Sequence, residues 1–95
     1  MLFVHNGVLM DISLFKDLDH LARTGNFARA ADLSNLSQPA FSRRIKALET
    51  WVGVTLVDRS THPVNLTSSG RQMLEAGEQA IARIESEREQ MRALE

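Results

Sequence analysis

Residues 34–53 read Ser34-Asn35-Leu36-Ser37-Gln38-Pro39-Ala40-Phe41-Ser42-Arg43-Arg44-Ile45-Lys46-Ala47-Leu48-Glu49-Thr50-Trp51-Val52-Gly53. Ser37 offers a hydroxyl oxygen to amides one turn on, which is what a helix start needs. Pro39 falls in the first turn, where its missing amide hydrogen costs nothing. Gly53 follows the last periodic residue and supplies the left-handed cap. At about 100° per residue, Phe41, Ile45, Leu48 and Val52 fall within roughly 60° of one another and form a buried stripe. Pro39, Ser42, Arg43 and Lys46 lie on the far side, and Gln38 sits at the exposed start.

Working upstream, Asn26 caps a short helix through Leu33, with Ala30 and Ala31 small enough to let another helix approach. Ser34-Asn35-Leu36 is a tight connection. Two helices joined in this way form a helix-turn-helix. Before them, Asp11 is placed to cap a first helix carrying Ile12, Leu14, Phe15, Leu18, Leu21 and Ala22 at helical spacing, and Gly25 ends it. Residues 1–9 lack the basic start and small-residue cleavage site of a signal peptide. Met10 reads as a second possible start, so 1–9 are expected to be a flexible extension.

Working downstream, Val54–Asp58 and Val64–Leu66 read as short strands around the turn Arg59-Ser60-Thr61-His62-Pro63, a hairpin or wing. Thr67 caps a last helix running from about Ser68 towards Glu95, roughly 40 Å if fully helical. Along it Leu74, Gly77, Ile81, Ile84, Arg88 and Met91 follow steps of three and four, a heptad seam with two imperfect positions. The fold expected is mainly α: a winged helix-turn-helix over 10–66 and a long carboxy-terminal linker helix over 67–95.

The 95 residues bound a single small domain, and 43% hydrophobic with 24% charged residues is ordinary for a globular chain. There is no cysteine, which excludes disulfides and thiolate metal sites and fits a reducing compartment such as the cytoplasm. The net charge of −1 conceals a basic middle: residues 20–71 carry +4, against −2 before and −3 after. A basic segment between acidic ends suits a local polyanion contact, although a solvated surface can carry the same cluster.

Chemistry points the same way. Gln38 can pair bidentately with adenine and Arg43 with guanine; Ser42 reaches a base or a phosphate, and Pro39 presses on a thymine methyl. Lys46 adds a phosphate contact. Arg59 opens the wing, either to enter a minor groove or to pair with Asp58 or a helix terminus. His62 at the hairpin tip contacts phosphate or faces solvent. Trp51 is core or dimer-contact material. His5, His20 and His62 have no metal-ligand spacing, and no nucleophile elbow, Walker lysine or dinucleotide fingerprint exists. No enzyme and no cofactor are expected.

Gly25-Asn26-Phe27-Ala28-Arg29-Ala30-Ala31-Asp32-Leu33, the stretch from Ser37 to Glu49, Gly53-Val54, Leu56-Val57-Asp58-Arg59 and Leu66-Thr67-Ser68-Ser69-Gly70 together resemble the amino-terminal domain of LysR-type transcriptional regulators, from about Asp11 to the end. The resemblance implies a DNA-binding domain whose linker helices pair antiparallel, so that a homodimer binds an interrupted inverted repeat in double-stranded DNA. It assigns base and phosphate contacts to Gln38, Pro39, Ser42 and Arg43 and a wing position to Arg59; Ser37, Lys46 and His62 complete the expected DNA-binding set by their place on the same surfaces. His62 stands where many members carry Arg. Dimerisation falls to Leu74, Ile81, Ile84 and Met91. The family's downstream domain, which binds a small effector, lies outside this chain; with it, the full-length protein would be a dimer or tetramer. The rival reading is a protein-interaction module working through the long helix. Steep salt dependence separates the two, since phosphate contacts weaken with salt and an apolar helix interface does not.

Overall fold

The computed structural model describes the backbone of residues 2–5 and 8–10 and the backbone and side chains of 11–94. The order is β1 (Leu2–His5), β2 (Val8–Asp11), α1 (Ser13–Thr24), α2 (Phe27–Leu33), α3 (Gln38–Val52), β3 (Val57–Asp58), β4 (Asn65–Leu66) and α4 (Ser68–Ala93).

Local chemistry sets the helix boundaries. Gly25 takes φ 63° and closes α1 by donating its N–H to Leu21 O. The Asn26 side chain accepts from Arg29 N, Ser37 Oγ from Ala40 N, and Thr67 Oγ1 from Gly70 N. Gly53, at φ 92°, closes α3. Asn35 reverses the chain between α2 and α3 at φ 57°, a region that asparagine tolerates.

Two expectations change at the amino end. Asp11 is the last residue of β2 rather than a cap, and Ile12 occupies the cap position without a side-chain bond. The Asp11 carboxylate still accepts from Ser13 N at 2.8 Å, and that backbone bond, with a further one from the Ser13 side chain, holds its pKa below the ordinary value. Residues 2–5 pair antiparallel with 8–11, so the described part of the expected flexible extension is a pair of strands, the second of which lies against α3. Met1, Asn6 and Gly7 lie outside the described residues. The overlooked signal is Asn6-Gly7 between two apolar runs, a strong short-range hairpin pattern.

The core gathers the inner faces of the three helices and the wing: Leu14, Phe15, Leu18 and Leu21 from α1, Ala30 and Ala31 from α2, Phe41, Ile45 and Leu48 from α3, then Leu56, Val57, Val64 and Leu66. The expected stripe on α3 is the buried one, with Val52 and Trp51 half-buried at its end. The wing is shorter than expected. Only Val57–Asp58 and Asn65–Leu66 pair, in the register Val57↔Leu66.

α4 begins against this core. A Cβ on Gly70 would lie 2.1 Å from Leu56 O, and one on Gly77 would lie 2.4 Å from Phe15 Cδ1. Gly77, an imperfect position on the expected seam, therefore serves the approach of α4 to α1 within one chain. Gly77→Leu is expected to lower stability by about 1–3 kcal/mol through overpacking, despite leucine's better helix propensity. Thermal unfolding at fixed protein concentration checks this; an unchanged or raised midpoint would show that α1 and α4 do not close on each other here.

Candidate nucleic-acid interface

α3 turns a shallow groove to solvent, lined by Pro39, Ser42, Arg43, Lys46, Ala47 and Thr50. Gln38, Pro39, Arg43 and Lys46 are exposed, and Ser42 is half-buried. Among the described residues neither Arg43 nor Lys46 forms an ion pair. A cation with no internal partner keeps its full capacity for a phosphate or a base edge. Ser37 lies exposed at the helix start; its oxygen caps Ala40 N at 3.2 Å and its hydroxyl proton is left for an outside acceptor. The structure thus brings Ser37, Gln38, Pro39, Ser42, Arg43 and Lys46 onto one element. Arg29, exposed on α2 and unpaired among the described residues, is a further cation that the sequence reading did not single out.

The wing differs in detail. Arg59 is half-exposed, and its guanidinium is turned back towards the helices. Nη1 and Nη2 each lie 3.5 Å from Glu49 Oε1, and the guanidinium carbon is 5.2 Å from the Phe27 ring centroid. Its partner is neither Asp58 nor a helix terminus, the alternatives weighed from sequence. Asp58 instead accepts from the Ser60 hydroxyl and from Ser60 N at 2.9 Å; these bonds, the hydroxyl's first, hold its carboxyl below the usual pKa. His62 is exposed in the turn.

Glu49 is the residue that sequence reasoning missed. Its Oε2 accepts from Leu56 N at 2.8 Å and Val57 N at 3.2 Å, while Oε1 faces Arg59. One carboxylate on the last turn of α3 thereby fastens the first wing strand. The available signal was an acid seven and eight residues before amides at the entry to the wing, which need an acceptor outside the two-stranded ribbon.

The proposed dimer residues divide into two groups. Leu74 and Ile81 are half-buried against the chain's own core. Ile84 is 50% exposed, Met91 65% and Leu94 89%, on a helix stretch flanked by Arg83, Glu87, Arg88 and Arg92.

Among the described residues no helix is long and apolar enough to cross a membrane, and no three His, Cys, Asp or Glu are grouped to hold a metal ion.

Comparison with known proteins matches residues 12–71 to the model described as bacterial regulatory helix-turn-helix protein, lysR family. The SDS degradation transcriptional activation protein of a Pseudomonas species is 49% identical over 65 residues, covering 68% of this chain and 21% of that protein. The crystal structure of Vibrio fischeri DarR in complex with DNA superposes with a TM-score of 0.80 at 40% identity, over 90% of this chain and 29% of that one. The CbnR DNA-binding domain in its DNA complex gives a TM-score of 0.80 at 32% identity, over 90% of this chain and 98% of that one. The chain spans about a quarter of the length of the curated relatives it matches. With more than half of its residues inside the matched model, the chain belongs to the LysR family of bacterial regulatory helix-turn-helix proteins.

Proposed function

We propose that this chain is a sequence-specific double-stranded DNA-binding module that lays the outer face of α3 in a major groove. The observation that carries this is the exposed row of Gln38, Pro39, Arg43 and Lys46, whose two cations have no internal partner among the described residues. A helix of this polarity fits the major groove, where base edges differ most. The DNA-bound state of DarR and of the CbnR domain, both similar in fold and sequence, supports the reading. In a homodimer the exposed end of α4, with Ile84, Met91 and Leu94, pairs with its copy and presents two α3 helices to an interrupted inverted repeat. The work is binding rather than catalysis, in the bacterial cytoplasm where DNA is met.

The test begins with selection of a preferred duplex from a random library, followed by anisotropy titration. Gln38→Ala and Arg43→Ala should each weaken binding to that duplex by about 1–3 kcal/mol. Arg43→Ala should also reduce the salt slope by about one where the guanidinium neutralises a phosphate. Both positions are exposed, so folding survives. Two folded variants that bind as the parent does would sink the assignment.

A further inference from the structure

Arg44 follows Arg43 in the chain, yet its side chain turns inward. Nε donates to Asp17 Oδ2 and Nη2 donates to Ser13 Oγ at 2.8 Å. The Asp17 side chain is only 7% exposed, and its second oxygen accepts from Ser34 Oγ at 3.0 Å. Ser34 Oγ lies 2.8 Å from His20 Nδ1. Since the Ser34 proton is committed to Asp17, the ring nitrogen is the donor. The resulting chain of bonds joins α1 through Ser13, Asp17 and His20, the α2 cap through Ser34, and α3 through Arg44.

The Arg44 side chain is 35% exposed, so the pair is only partly buried, and desolvation of Asp17 offsets much of its attraction. Its distinguishing property is direction. Apolar stripes tolerate small rotations, whereas a guanidinium bonded to a carboxylate and a hydroxyl does not. On a helix about 10–12 Å across, a rotation of roughly 15° moves a side-chain tip by roughly 1.5 Å. That is enough to spoil a bidentate base contact.

We infer that Asp17 and Arg44 are a positioning pair for DNA recognition: they fix the rotation of α3 against α1 and the turn, and so aim Gln38 and Arg43 without touching DNA. This rests on the reading of α3 as the DNA-facing helix. The sign of one effect is diagnostic. Removing the Asp17 charge makes the domain more positive, and long-range attraction alone would tighten binding to any duplex. A positioning role loosens binding to the preferred duplex only.

The experiment compares Asp17→Asn, Arg44→Met and the double variant with the parent chain, on the selected duplex and on a scrambled one, across a salt series. Circular dichroism establishes that each is folded at the assay temperature. The double variant, which leaves no lone buried charge, decides the matter should a single variant unfold. The expected result is a ratio of preferred to scrambled affinity lowered roughly tenfold, the size of one lost base contact. Scrambled-duplex affinity should not fall in Asp17→Asn or in the double variant, whose net charge is the parent's; Arg44→Met should lower both duplexes' affinity slightly through its lost charge and the preferred one's further. The salt slope of the double variant should stay unchanged, and it should bind no worse than the worse single variant. A salt slope reduced by about one in Arg44→Met, with the ratio intact, would make Arg44 a phosphate contact and overturn the inference. An intact ratio in a folded double variant would reduce the pair to ordinary core material. If the parent itself prefers no duplex and Arg43→Ala changes nothing, the DNA-binding reading has failed instead.

Discussion

Leu48→Ala is expected to remove about 2–5 kcal/mol of folding free energy, and Ile45→Ala a similar amount. Both side chains are fully enclosed, with Phe41 one turn before Ile45 and two before Leu48, and the α1 leucines in the same core. Truncation loses the transfer energy of the deleted carbons and opens a cavity that neighbouring helices only partly refill. Small domains hold about 5–15 kcal/mol in all, so either change takes a large fraction. Urea unfolding at fixed protein concentration measures it, with exposed Arg43→Ala as a reference that should leave the midpoint in place. Near-parental stability of both core variants would mean that α3 faces the other way, and the interface with it.

Ile84→Glu combined with Met91→Glu is expected to leave a folded monomer whose affinity for a full inverted repeat falls about 10²–10⁴-fold, the gain that linking two modules ordinarily provides. Heptad spacing alone would have put Ile81 in such a variant. Ile81 is half-buried against the core, so altering it confounds assembly with folding. Ile84 and Met91 stand clear of that core, and each forgoes roughly 1.5–3 kcal/mol of burial while it faces water. Affinity for an isolated half-site should be nearly unchanged. Sedimentation of the double variant as a dimer would remove Ile84 and Met91 from the interface.

The helix ends were legible because capping chemistry is local: Asn26, Ser37 and Thr67 each bond an amide three residues on, and Gly25 and Gly53 take the backbone angles their positions require. The α3 stripe was legible because a period of 3.6 residues assigns faces within one helix. What escaped involves partners distant in sequence. Periodicity put Gly77 on a seam but could not tell that Phe15 would meet it. Charge placed Arg59 in the wing, while its direction is set by Glu49 and Phe27. Alternation suggested a strand from Val54, yet the Leu56 and Val57 amides go to the Glu49 carboxylate, and Leu56 O accepts from Thr67 N, so the ladder begins late.

The division of labour along α3 bears on how such a chain diverges. Glu49 and Arg44 anchor the helix to the wing and to α1, and Phe41, Ile45 and Leu48 hold the core. Gln38, Arg43 and Lys46 take no part in either task through their side chains. Substitutions at those outer positions carry little folding penalty, since they sever no internal bond. If these residues read DNA as proposed, a duplicated copy can acquire a new target by changing a few outward residues on an unaltered scaffold, and reprogramming in the laboratory can be confined to the same few codons.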